Sequence, residues 1–252
     1  MSRKISRKIG LLFLGLFTSL TVGCSSSPSS SDDSSSGNAS SYYTQLGVAY
    51  LQKNRLDLAN INLEKAIAQT PGSADTQHYY ALLQERLGNN SKAQEHFRRA
   101  LQIDRKNPEL LNNYGSFLCK MGDVTGAEKS FLSAVSDPFY KTPEFAYTNA
   151  GICVGKRGDS AAAEGYFRQA LQTNGQFSEA LYQMAKLKHE KGDNPKAQAF
   201  LYRYNETAPA TADTLLLCYR IEAAMNEPDK AASCAVALRG RFPESAAASQ
   251  IN

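Results

Sequence analysis

The feature that most constrains this chain is a column of alanines. Ala59, Ala93, Ala127, Ala163, Ala197 and Ala231 stand 34, 34, 36, 34 and 34 residues apart. Self-similarity at such a period marks a stack of supersecondary units, none of which can bury its own apolar face alone. A unit of this length holds two antiparallel helices and a short turn. A small residue in each helix lets the two axes approach closely, and larger side chains fill the space beside that contact.

The period and its supporting columns resemble the tetratricopeptide repeat. The first unit carries Tyr43, Leu46, Gly47, Tyr50, Ala59, Leu63, Ala66 and Pro71 at the signature positions. The third has Tyr114, Gly115, Ala127, Phe131 and Ala134; the fourth has Gly151, Ala163, Phe167 and Ala170. In the looser second, fifth and sixth units, Ala81, Ala185 and Tyr219 stand where Gly is usual. The repeats are set at 40–73, 74–107, 108–141, 144–177, 178–211 and 212–245. The resemblance implies an all-α, right-handed superhelix whose first helices line a concave face. Gly88, Gly122, Gly158 and Gly192, with Asn54 and Asn226, are expected in the left-handed conformation that ends a helix. Asp123, Asp159 and Asp193 are candidate caps for the helices that follow. Within a helix pair, Gly or Ala of the first helix is expected to meet Ala of the second. Thr142 and Pro143 are extra residues between repeats three and four, and with Pro138 they predict a longer, stiff elbow. The tail, 246–252, is too short for a full capping helix, so the small Ala231, Ala232 and Ala235 are expected to finish the stack.

The amino terminus reads as an address. Arg3, Lys4, Arg7 and Lys8 precede an apolar run from Ile9 to Leu20, and Thr21, Val22 and Gly23 lead to Cys24. Positive charge, a short apolar stretch and small residues make a secretory signal, here 1–23. Twelve residues as a helix span about 18 Å, short of a roughly 30 Å hydrocarbon core. The Cys directly after Gly23 resembles the bacterial lipobox, with Thr21 departing from the usual Leu, and makes Cys24 the lipid attachment site. Ser25 in place of Asp points to the outer membrane rather than the inner. The stretch SSSPSSSDDSSSGNAS that follows has no apolar content. It reads as a flexible tether over 24–39, with a reach of roughly 22 Å for sixteen residues.

Charge and chemistry narrow the function classes. The chain has 28 basic and 24 acidic residues, and four of the basic ones lie in the signal. The remainder is neutral, which argues against a nucleic-acid partner. Four Cys remain after Cys24. In an oxidising compartment they suggest two disulfides, and three pairings are open. Helix register favours Cys119 with Cys153 and Cys218 with Cys234; the alternative is four buried thiols. The three His residues, His78, His96 and His189, are placed too far apart along a rod to converge. No metal-ligand spacing, phosphate loop or nucleophile motif is present. The acids sit at helix-surface spacing and read as solvated. The expectation is a protein-binding scaffold with no catalytic residues, cofactor, metal or small-molecule substrate.

Register along the first helices supplies candidate partner-binding residues. In repeat one, Val48 and Leu51 fall on concave positions beside Thr44, with Tyr42 and Tyr43 at the end of the same helix. Asn113 and Asn149 occupy equivalent inward positions next to Asn112, where side chains that donate and accept can hold a peptide backbone. Phe145 and Ile152 add apolar surface in repeat four.

One stretch carries more than repeat consensus. The segments NYGSFLC (113–119), DPFYKTP (137–143) and NAGIC (149–153) resemble the PilF/PilW family of type IV pilus pilotins, and the resemblance runs through signal, lipid Cys and repeats. It implies a lipoprotein on the periplasmic face of the outer membrane. Its partner is the type IV pilus secretin, whose outer-membrane localisation and multimerisation it promotes. The competing reading is a repeat lipoprotein serving outer-membrane barrel assembly or delivering peptidoglycan hydrolases.

Overall fold

The computed structural model describes residues 32–251. Cys24, the signal and the first part of the expected tether lie outside them. Among the described residues twelve α-helices follow one another: α1 (Asp32–Gln52), α2 (Leu56–Gln69), α3 (Ala74–Arg86), α4 (Asn90–Ile103), α5 (Pro108–Lys120), α6 (Val124–Val135), α7 (Pro143–Lys156), α8 (Ser160–Thr173), α9 (Ser178–Glu190), α10 (Asn194–Thr207), α11 (Ala212–Ala224) and α12 (Pro228–Arg241). They pack as six antiparallel pairs, each pair resting on the next, in the superhelical arrangement of tetratricopeptide repeats. No helix among them is long and apolar enough to cross a membrane.

The turns within the pairs follow the sequence. Gly88, Gly122, Gly158 and Gly192 have φ between +76° and +88°, and Asn54 and Asn226 adopt +55° and +61°. Asn serves there because its short polar side chain tolerates the left-handed region better than other side chains do. The Asp123 and Asp159 carboxylates accept from the backbone N–H groups of Gly126 (2.9 Å) and Ala162 (3.0 Å). Asp193 departs from its expected role and makes no cap hydrogen bond. The N3 residue here is Lys196, and the Asp193 carboxylate turns to its ammonium at 2.7 Å.

The close approach within each pair differs from the expected Gly–Ala contact. A Cβ on Gly47 would lie 2.5 Å from Leu63 Cγ; on Gly115 or Gly151 it would lie 2.7 or 2.5 Å from the Phe131 or Phe167 ring. Glycine therefore makes room for the large side chain of the second helix. The alanines of the column, each at most 5% exposed, pack beside these rings. Through the middle of the stack Phe97, Phe117 and Phe131 are fully buried, with Phe97 and Phe117 centroids 5.3 Å apart. Each such ring contributes about 1.5–3 kcal/mol relative to exposure.

Three further departures concern the ends and the charges. α1 begins at Asp32, so helix extends eight residues into the expected flexible tether. Once the first repeat has nucleated the helix, each added turn costs little. At the other end the tail folds back. Ala247 and Ile251 are buried against Leu216, Ala235 and Leu238, and Arg239 donates to the Ile251 carbonyl at 3.0 Å. The tail thus acts as the cap; Ala232 stays exposed. Two acids are not solvated. Glu164 is held by Lys188, Lys191 and Arg168 at 2.7–2.9 Å. Glu222 is buried, with one carboxylate oxygen accepting from Gln198 and the other without a partner among the described residues.

The elbow runs from Ser136 to Thr142. Its Tyr140 ring is buried in the central core, and α6 and α7 on either side of the elbow pack closely together. Cys119 and Cys153, on the first helices α5 and α7 of repeats three and four, are joined with Cα atoms 5.8 Å apart. Cys218 and Cys234 are joined between α11 and α12 at 6.0 Å. Both separations suit a disulfide.

Candidate protein-binding groove

At the amino-terminal end of the concave face α1 and α3 lie side by side. A line of hydroxyls stitches these helices together. Ser40 Oγ donates to the Ala66 carbonyl (3.2 Å), Thr44 Oγ1 donates to the Ser40 carbonyl (3.0 Å), and the Thr44 and Thr76 hydroxyls lie 2.8 Å apart. Ser73 closes the line: its hydroxyl accepts from the Thr76 N–H and lies 3.0 Å from the Thr76 hydroxyl. Short side chains held this way form a rigid floor. Above it lies a groove of about 440 Å³, with Val48, Ala49 and Tyr79 as its apolar wall and Gln45, Gln52 and Asp75 at its polar margin. The Thr70 hydroxyl borders the same groove and has no hydrogen-bond partner among the described residues.

Leu51 belongs elsewhere. It is 4% exposed and packs with Ala59, Leu63, Tyr80 and Leu83. It lies four residues after Gly47, so both point to the same helix face, the one turned toward α2. Val48 sits about 100° around the helix from Gly47 and stays on the groove. Tyr43 also turns toward α2, where the Lys65 ammonium stands 5.5 Å from its ring centroid. Tyr42 is exposed and meets Tyr43 edge-on.

The asparagines form a ladder between first helices. Asn149 donates to Asn112 Oδ1 at 3.0 Å, and Asn113 donates to His78 Nε2 at 3.0 Å. Burial pushes the His78 imidazole down to about pKa 4. It is therefore neutral at pH 7 and able to accept. Asn112 is itself buried. The expectation that these three side chains are free to hold a peptide is corrected to this extent: their first partners are one another and His78, stitching α3 to α5 and α5 to α7. Asn113 and Asn149 are half-buried and keep further donor and acceptor capacity on the concave face.

In repeat four, Ile152 lines a second, smaller groove of about 270 Å³ between α7 and α9, with Lys156, Gln183 and Lys186 around it. Phe145 is not concave. It stands at the start of α7, 46% exposed, with its ring edge-on to Phe177 at 4.6 Å. The residues that register on a single helix overlooked, Asp75, Thr76 and Tyr79, all belong to α3. Tyr79 lies 34 residues after Gln45. Carrying the groove positions of one repeat forward by one period finds it. Among the described residues, no group of three or more His, Cys, Asp or Glu side chains is placed to hold a metal ion.

Comparison with known proteins agrees with this architecture. The tetratricopeptide repeat model matches residues 40–72 and 74–107. The type IV pilus assembly protein PilF of Pseudomonas aeruginosa is 29% identical over 207 residues, covering 82% of each chain. The crystal structure of PilW, a widely conserved type IV pilus biogenesis factor, superposes with a TM-score of 0.77 at 31% identity. That match covers 84% of this chain and 97% of PilW. The structure of Pseudomonas aeruginosa PilF gives 0.76 at 28% identity, over 86% and 97%. A stack of the same length and order, similar in sequence from the first repeat to the last, places this chain in the family of tetratricopeptide-repeat type IV pilus biogenesis factors to which PilF and PilW belong.

Proposed function

We propose that this protein is an outer-membrane lipoprotein, anchored through acyl chains on Cys24. In this reading it binds the type IV pilus secretin, promotes its outer-membrane localisation and multimerisation, and so permits pilus extension and twitching motility. It acts by holding a partner rather than by catalysing a reaction. The observation that carries the proposal is the groove between α1 and α3. A rigid hydroxyl floor, an apolar wall and a polar margin suit a peptide segment that buries one or two apolar side chains while its backbone stays hydrogen-bonded. The short reach of the segment after Cys24 keeps that groove close to the membrane where a secretin assembles.

The test is capture of secretin subunits by the full chain and its variants. Val48→Asp sets an unpaired charge in the apolar wall, and Tyr79→Ala removes its largest side chain. Each is expected to weaken binding tenfold or more while circular dichroism stays unchanged. Leu51→Asp does not serve, because it places a charge in the core and unfolds the repeat. Asn113→Ala combined with Asn149→Ala tests the middle of the concave face. Loss of binding in that pair, with normal binding in the Val48 and Tyr79 variants, moves the site away from repeat one. Capture of barrel-assembly proteins or peptidoglycan hydrolases in place of secretin refutes the partner. For the anchor, Cys24→Ser is expected to leave secretin subunits poorly multimerised; full assembly at native levels refutes pilotage.

A further inference from the structure

Phe139 is 88% exposed, the largest exposure among the big hydrophobic side chains described. It does not hang on a loose loop. Its N–H donates to Asp137 Oδ1 at 2.8 Å, the Tyr140 N–H donates to the Asp137 carbonyl at 3.1 Å, and the Tyr140 ring beside it is locked in the core. Pro138 and Pro143 restrict the backbone on either side. The fold therefore holds a phenyl ring out in water, where it contributes nothing to stability, and fixes it there. Phe145 and Phe177 lie on the same side of the stack, and Phe145 too is exposed.

That side is defined by topology. In each antiparallel pair the first helix starts where the second helix ends. The starts of α1, α3, α5, α7, α9 and α11 and the linkers between repeats therefore share one edge. Cross-links confirm the arrangement: Ser40 bonds the carbonyl of Ala66 near the end of α2, Asn174 bonds Glu144, and Arg203 bonds the Gly175 carbonyl. From Ser40 back to Asp32, α1 continues for about 12 Å past this edge. The chain thus leaves toward Cys24 from the edge that displays Phe139.

We propose that this edge lies against a lipid bilayer and that Phe139 inserts into it as a fixed aromatic wedge. The proposal rests on the anchor reading above and adds an orientation to it. An anchor at one point leaves the body free to rotate; a second contact holds the elbow edge down and turns the stack in one attitude to the membrane. A phenyl ring gains by burial at the boundary between headgroups and acyl chains, the depth such a contact reaches. Charges along the edge are mixed, with Arg105, Lys106 and Lys141 among Asp104, Glu109 and Glu144. Apolar insertion rather than attraction to anionic headgroups is therefore the recognising chemistry.

The chain has no Trp, so Phe139→Trp introduces a unique fluorescent reporter at an exposed position that no packing constrains. The control is Met121→Trp, which replaces a side chain 42% exposed at the carboxyl end of α5, on the opposite edge of the stack. The full lipidated protein is reconstituted into phosphatidylethanolamine–phosphatidylglycerol vesicles, with and without brominated acyl chains. The proposal expects the position-139 reporter to shift to the blue and to be quenched at least twofold by the brominated lipid, while the control stays at its value in water. Flotation reports the anchor separately. Protein that floats with the vesicles while the position-139 reporter stays as solvated as the control overturns the wedge and leaves the anchor standing. A blue shift that needs added secretin, without lipid quenching, also overturns it, in favour of a protein contact. Protein that does not float overturns both.

Discussion

His78 offers the sharpest physical test of the concave face. Its side chain is 3% exposed, stacked on Tyr79 at a centroid distance of 4.9 Å, and it accepts from Asn113. Burial disfavours the imidazolium and holds its pKa near 4, against an ordinary value of 6.5. The folded-state value is the lower one, so between pH 6.5 and 4 the unfolded chain takes up a proton that the folded chain refuses. The stability that neutral His78 permits is complete above about pH 6.5 and falls away as the pH drops toward 4. A tenfold difference in proton affinity between the two states corresponds to about 1.4 kcal/mol, so the expected loss between pH 7 and pH 5 is about 2 kcal/mol. His96, half-buried against Gln77 and Tyr80, is displaced in the same direction and adds a smaller loss.

Two measurements check this. The His78 ring proton, followed by NMR, is expected to titrate near pH 4 in the folded protein. Urea unfolding of the wild type and of His78→Gln at several pH values between 7 and 5 then isolates the energetic consequence. Gln accepts from Asn113 but does not titrate, so the variant is expected to lose most of the pH dependence. His96→Gln serves as the control and keeps most of it. A titration midpoint near 6.5, or an unchanged slope in the His78 variant, refutes the account of a neutral histidine buried between first helices.

Three further outcomes are expected. Gly115→Ala sets a methyl 2.7 Å from the Phe131 ring and is expected to cost about 1–3 kcal/mol in thermal or urea unfolding, whereas Gly165→Ala, exposed inside α8 with nothing near its Cβ, is expected to stabilise by roughly 0.5–1 kcal/mol. Glu164→Gln is expected to cost roughly 3 kcal/mol at pH 7, since it leaves the buried Lys188 without its carboxylate. The three cations hold the Glu164 carboxyl well below the usual range, so its contribution is full above about pH 5 and declines progressively as the pH falls below the ordinary carboxylate range; the stability gap between the two proteins is expected to narrow steadily on acidification. Peptide mass mapping of the oxidised protein is expected to yield Cys119–Cys153 and Cys218–Cys234, with reduction lowering stability by about 2–4 kcal/mol per bridge; free thiols at all four positions refute the pairing.

The architecture was legible because the repeat writes each constraint six times. One alanine column sets the period, and the turn residues follow it at a fixed offset, with Asn54 and Asn226 identifiable as stand-ins for Gly by position alone. What a single unit does once was harder to read. Leu51 looks concave if the helix is counted from Val48; it looks buried if counted from Gly47, and only the contact with Leu63 and Leu83 decides between them. The groove itself escaped for a related reason. Its floor is built by Thr44 of one repeat and Thr76 of the next, 32 residues apart, and its wall by Val48 and Tyr79. A site that belongs to the contact between repeats has no local signature in either. The same holds for the asparagine ladder, where each side chain reads as an open donor until its neighbour one period away is placed opposite it. Stacking settles which polar groups of a first helix are spent on the next repeat and which remain for a partner. In this chain the asparagines at the middle of the concave face are bonded across the stack, whereas Gln45, Gln52 and Asp75 at its amino-terminal end are not, and among the described residues α1 has a first-helix neighbour on one side only. A terminal repeat has surface to offer, and that asymmetry supports placing a partner segment on repeats one and two.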